Sequence, residues 1–125
     1  IIFVSTGTGI APFMSIIPSL LEAGFNYKII LFTGYKDENN ILSEKELKNL
    51  EKKYPNFKYY NILSQPSPNY KGDTGRVQQL IEKYLENTDN LDAYICGLTD
   101  MINSVRILLT KKGIEMKNIY SERYD

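Results

Sequence analysis

Hydrophobic positions in this chain fall in short unbroken runs, separated by stretches in which they recur every three or four residues. The clearest runs are Ile1-Ile2-Phe3-Val4 and Ile29-Ile30-Leu31-Phe32. Continuous apolar runs of this kind suit strands buried on both faces, as in a parallel sheet. The pattern predicts strands over residues 1–5, 28–33, 57–63, 92–96 and 118–121. Between them, Leu47, Leu50 and Tyr54 mark one helical face, and Val77, Leu80, Ile81, Tyr84 and Leu85 mark another. Met101, Ile102, Val105, Leu108 and Leu109 mark a third, which stops at Lys111, Lys112 and Gly113, cations in the last turn and glycine behind them. A further helix begins near Phe13 and runs to Gly24, and Pro18 inside it predicts a kink or a late start. Residues 64–73 form the one long loop, rich in turn formers. Strand–helix alternation from end to end predicts one α/β domain over residues 1–125, a doubly wound five-stranded parallel sheet with helices on both faces.

Composition narrows the chemistry. The 125 residues carry 15 Lys+Arg and 15 Asp+Glu, so there is no basic excess for nucleic acid or an anionic membrane. No apolar run approaches the roughly 18 residues of a membrane span. A single cysteine rules out an internal disulfide and fits a reducing, cytoplasmic setting. There is no histidine, which removes His-based triads and the commonest zinc and general-base arrangements, and no metal site is expected. The chemistry is therefore expected from a bound cofactor. Ile1 opens directly inside a predicted core strand, so the chain reads as a piece of a longer one. The charged segment 43–53, with Glu44 and Lys48 at i, i+4 around Leu47 and Leu50, reads as a solvated helix face over a buried one.

Candidate site residues gather at the carboxyl ends of the predicted strands, where open α/β sheets bind ligands. Ser5-Thr6-Gly7-Thr8-Gly9-Ile10-Ala11-Pro12-Phe13 follows the first strand and leads into a helix. Glycine permits close backbone approach, and a helix start presents N–H groups and a positive dipole end to a phosphate. Gly34-Tyr35-Lys36 follow the second strand, Ser64-Gln65 the third, Cys96-Gly97 the fourth, and Glu122 and Tyr124 the last. Two phosphate chemistries are excluded. No Gly-Lys-Ser/Thr follows the glycines, as a P-loop requires, and the ends of strands one and three lack the acidic pocket of a phosphoacceptor domain.

Three segments carry a resemblance: 5–13, Tyr94-Ile-Cys-Gly-Leu-Thr-Asp-Met101, and Ser121-Glu-Arg-Tyr-Asp125. Together the chain resembles the Rossmann-like nicotinamide-nucleotide domain of the ferredoxin–NADP reductase family, normally preceded by a flavin-binding barrel. Pro12 stands where the general dinucleotide fingerprint has its third glycine, as it does in that family. The resemblance implies NADH or NADPH as cofactor here and FAD in the barrel. It implies hydride transfer between nicotinamide and flavin, then single electrons to an iron–sulfur or haem partner. It places the pyrophosphate on Gly7, Thr8 and Gly9, with Pro12 starting the helix, and sets Thr6 and Cys96 on either side of the nicotinamide, with Gly97 passing close to it. Cys96 would pack beside the transferred hydride rather than attack. Read without the resemblance, it is a small core residue. Glu122 would lie near the nicotinamide, and Tyr124 would cover the flavin until nicotinamide displaces it. Against that stands a frayed, solvated chain end. The Ser-Arg, Lys and Tyr with which plant-type members hold a 2′-phosphate read here Ser64, Gln65, Thr74 and Arg76. The lost guanidinium leans toward NADH, although Lys36 and Arg76 still offer charge. Two other readings share the same features: an electron-transfer subunit feeding another enzyme, and a non-catalytic nucleotide sensor. The domain by itself is expected to bind nucleotide and catalyse nothing.

Overall fold

A computed structural model describes all 125 residues. Six parallel strands form one sheet: β1 (Ile2–Thr6), β2 (Ile29–Tyr35), β3 (Phe57–Leu63), β4 (Asp73–Thr74), β5 (Ala93–Gly97) and β6 (Ile119–Arg123). Their spatial order is β4-β3-β2-β1-β5-β6. The chain thus builds outward from β1 through β2 and β3 to β4, then returns to lay β5 on the opposite side of β1. The switch point falls between β1 and β5, where a doubly wound sheet opens its binding crevice.

Four helices cover the two faces: α1 (Ala11–Glu22), α2 (Glu44–Lys53), α3 (Val77–Tyr84) and α4 (Thr99–Lys111). Alternation along each strand splits the apolar runs between two cores. Val4, Ile30, Phe32 and Ile95 point to the α3–α4 face, against Val77, Leu80, Ile81, Ile102, Val105 and Leu109. Phe3, Ile29, Leu31 and Cys96 point to the other face, against Ile10, Phe13, Ile17 and Leu21 of the α1 region and Leu47 of α2. Each fully buried aliphatic or aromatic side chain contributes about 1.5–3 kcal/mol relative to exposure, so this two-sided burial is what makes the strand runs continuous.

The fourth strand was hidden in the long loop. Its two residues, Asp73 and Thr74, pair with Ile62 and Leu63, too short a segment to leave a hydrophobic pattern. Side chains fix it instead: Asp73 accepts from Lys83 Nζ at 2.6 Å and from the Tyr84 hydroxyl at 2.9 Å. The first helix neither starts late nor breaks at Pro18. It follows directly on a 3₁₀ turn, Gly7–Ile10, and runs uninterrupted to Glu22. Its end is a Schellman motif, with Gly24 at φ +89° and N–H bonds from Gly24 to Leu21 and from Phe25 to Leu20. Gly113 closes α4 in the same way, at φ +105°. The Glu44–Lys48 pair forms at 3.7 Å with both side chains largely in solvent.

Candidate functional site

The two glycine-bearing turns of the sequence meet at the switch point, backbone against backbone. A Cβ built on Gly9 would stand 2.3 Å from the carbonyl oxygen of Cys96 and 3.2 Å from Cα of Gly97. Nothing larger than glycine fits there. Gly7 adopts φ +55°, a left-handed conformation that glycine takes without strain, and a Cβ on it would meet nothing within 4 Å. The turn is therefore jammed against β5 on one side and open on the other. Thr8 is exposed on the open side. Because the 3₁₀ turn flows into α1, its first N–H groups lack partners from a preceding turn and lie at the positive end of the helix. Pro12 takes the second position of α1, where a missing N–H costs least.

Thr6 ends β1 between two glycines. It pairs with Gly34 of β2, and its Oγ1 lies 2.9 Å from where a Cβ of Gly97 would be. On this face the strand ends form a floor that carries the Thr6 side chain, with Met101 Cε 2.6 Å from that same Cβ position. Cys96 lies on the opposite face, in the α1-side core with Phe3 and Phe13, and is 1% exposed. The sequence expectation set Thr6 and Cys96 on either side of one ring; pleating instead sends their side chains to opposite faces of the sheet. Burial pushes the Cys96 thiol up, the adjacent Tyr124 hydroxyl pulls it partly back, and the negative charge of Glu122 raises it again. The group is thus a neutral thiol at pH 7, as a packed core residue is.

The end of the chain is tied down rather than frayed. Glu122 pairs with Cys96, and Arg123 with Gly97. The Tyr124 N–H donates to the Gly97 carbonyl at 2.8 Å. Asp125 then accepts from the Thr99 N–H at 3.1 Å and from Thr99 Oγ1 at 2.8 Å. Leu98, the residue preceding α4, supplies no side-chain cap, so Asp125 caps that helix from 26 residues away. These bonds to Thr99 hold the Asp125 carboxyl below its usual range. Tyr124 remains 43% exposed while its hydroxyl lies against Cys96.

At the other end of the site, the β2 and β3 loops run side by side. The Ser64 N–H donates to the Tyr35 carbonyl at 3.0 Å and the Gln65 N–H to the Lys36 carbonyl at 2.7 Å. Lys36 and Gln65 point to solvent and Ser64 is half-buried. Tyr35 needs a correction: its ring, expected at the ligand, is 6% exposed and its hydroxyl is buried without a partner. The strand runs three residues past its apolar run, and alternation turns Tyr35 to the α2 side of the sheet. Burial raises its phenol to about 12. Arg76 is exposed just before α3, where its N–H donates to Gln79 Oε1 at 2.7 Å. Sequence reasoning missed Asp125, Thr99 and the link from Glu38 to Ser67. No local signal marks the pair, because the carboxylate that caps α4 lies 26 residues from Thr99.

A doubly wound parallel sheet with an open glycine turn at its switch point defines a nucleotide-binding α/β domain. The sequence matches the family described as the oxidoreductase NAD-binding domain over residues 3–106, and the chain belongs to that family, within the ferredoxin–NADP reductase-like proteins. It is 34% identical to the phenol hydroxylase P5 protein of Acinetobacter pittii (strain PHEA-2), over 98% of this chain and 36% of that protein. It is 30% identical to ferredoxin–NADP reductase B of Sorangium cellulosum (strain So ce56), over 99% of this chain and 54% of that protein. The chain thus spans only part of the length of the relatives it matches. Among solved structures it resembles in fold the cytochrome b5 reductase domain of Ulva prolifera nitrate reductase. The TM-score there is 0.87 and the identity 23%, over 97% of this chain and 48% of that one. No helix is long and apolar enough to cross a membrane.

Proposed function

We infer that this chain binds NADH or NADPH along the carboxyl edge of its sheet, as the nucleotide half of a flavin-dependent reductase. The observation that carries the reading is the seating of Gly9 against Cys96–Gly97, which leaves the Gly7–Thr8 backbone open at a helix start. In this reading the N–H groups of Gly7, Thr8 and Gly9, backed by the α1 dipole, hold the pyrophosphate. Pro12 fixes the first turn of that helix. Gly34 keeps the crossing over β2 low. The nicotinamide rests on the Thr6–Gly97 floor, and Glu122 stands near its amide. Tyr124, hydrogen-bonded through its own backbone to Gly97, covers this end and moves aside for the ring. Cys96 stays behind this floor, on the α1 side, as an uncharged part of the core.

When bound here, the nicotinamide would supply a hydride to FAD held in a partnering flavin domain. What these residues do is orient one face of the ring and keep water away. Names among the relatives, such as "Anthranilate 1,2-dioxygenase electron transfer component" from Acinetobacter baylyi (27% identical), support onward electron transfer; an iron–sulfur or haem carrier as its recipient is this reading's own addition. The chain carries no flavin chemistry of its own, so binding without turnover is expected of it in isolation. Titration calorimetry with NADH, NADPH and adenosine diphosphate tests the reading. Binding of all three, abolished by Gly9→Val, is the expected result. Binding that survives Gly9→Val moves the site elsewhere.

A further inference from the structure

Tyr124 owes much of its place beside β5 to its neighbour Asp125. α4 begins at Thr99, behind Leu98, whose backbone is extended and whose side chain offers no cap. The N–H groups of its first turn therefore need an acceptor from elsewhere. Asp125 supplies it: Oδ2 accepts the Thr99 N–H at 3.1 Å and Oδ1 the Thr99 hydroxyl at 2.8 Å. A carboxylate at this position also meets the positive end of the helix. One residue earlier, the Tyr124 N–H donates to the Gly97 carbonyl at 2.8 Å. Residues 124 and 125 are thus strapped along the Gly97–Thr99 turn, and the Asp125 side chain makes most of the strap.

The strap bears on binding because Gly97 borders the floor assigned to the nicotinamide. In that reading the ring settles only after Tyr124 has moved aside, so a molecule with its strap closed is closed to the nicotinamide. A ligand that binds only the open form has an apparent Kd equal to its intrinsic Kd divided by the open fraction. We propose that Asp125 is a positioning residue: by capping α4 through Thr99 it holds Tyr124 against Gly97, and so sets the fraction of molecules open to the nicotinamide half of the dinucleotide. This rests on the nucleotide reading above and adds to it a control that acts on one half of the ligand. The pyrophosphate, at the Gly7–Thr8 turn, and the adenosine beyond it toward β2 do not meet the strap.

The test is calorimetric titration of wild type, Asp125→Ala, Asp125→Asn and Thr99→Val with NADH and with adenosine diphosphate, which lacks the nicotinamide. Asp125→Ala tightens NADH by roughly three- to tenfold, the usual worth of a helix cap, and leaves adenosine diphosphate within about 1.5-fold. Asp125→Asn, whose side-chain oxygen still caps, stays near wild type. Thr99→Val, which loses only the hydroxyl partner, falls between, and adds nothing when combined with Asp125→Ala. An Asp125 that merely stabilised α4 would weaken both ligands together or neither. An NADH affinity unchanged or weakened in Asp125→Ala while adenosine diphosphate still binds overturns the proposal, as does an equal shift for both ligands. Failure of both ligands to bind the wild type overturns the functional reading, and this inference with it.

Discussion

The two ends of the candidate site are built by different means. At β1 and β5 the geometry comes from missing side chains: Gly9 lets one turn press on the carbonyl of Cys96, and Gly97 makes room for the side chains of Thr6 and Met101. At β2 and β3 it comes from side chains present: Glu38 ties one loop to Ser67 of the next, and Asp37 stiffens its own. The first construction tolerates no added atom but is indifferent to charge and salt. The second tolerates added atoms and depends on charge.

The largest expected effect is at the steric end. Gly9→Val drives atoms into the Cys96 carbonyl, backbone that cannot rotate away. A loss of about 3 kcal/mol in unfolding free energy, measured by denaturant melts, is expected together with loss of nucleotide binding. If Gly9→Val leaves stability intact, the backbone contact between the two turns is wrong.

Next comes the tie that closes this end. Cys96 is the only cysteine, so its labelling rate with a thiol reagent reports on its cover. Asp125→Ala frees the Thr99 bonds and is expected to raise that rate several-fold at fixed pH, whereas Glu38→Gln, at the far end, leaves it unchanged. Equal rates in all three proteins would show that the chain end does not shield the thiol.

A smaller effect is expected in acid. Lys83, then Tyr84, hold the Asp73 carboxyl below its ordinary value, as Thr99 does for Asp125. A depressed carboxyl adds stability that is complete above about pH 4 and disappears as pH falls through the lowered folded value. Asp73→Asn should therefore be less stable than wild type at pH 7 and converge with it in melts near pH 2. The smallest effect is at Tyr35. Its hydroxyl is buried without a partner, so Tyr35→Phe should be neutral or stabilising by up to about 1 kcal/mol and leave NADH affinity alone. A loss of affinity would restore the ring to the site.

The same division explains what could be read in the sequence. Parallel strands, two-sided cores and the Gly7–Gly9 and Cys96–Gly97 turns were legible because each is a local requirement: an apolar run, a helical period, a residue with no Cβ. Glu38–Ser67 and Thr99–Asp125 were not, since each joins residues 29 or 26 positions apart whose neighbourhoods carry no periodic mark. Tyr35 was misplaced because hydrogen-bond pairing carried β2 past its apolar run to match the seven residues of β3. β4 escaped because two residues cannot show a period. The pleat that separates Thr6 from Cys96 was in principle readable, by counting register from Ser5, which pairs with Cys96.

Because β1 has a neighbour on each edge and β6 has one, the two parts of the nicotinamide end differ in how readily they open. Amide exchange at Val4 and Ser5 should proceed only through global unfolding, while amides of Ser121–Tyr124 exchange through fraying of the outer strand. The clamp thus hangs from the slowest-exchanging part of the molecule and the cover from one of the fastest. Opening of the outer strand is therefore expected far more often than any loss of the Gly9 seat, which only global unfolding would bring.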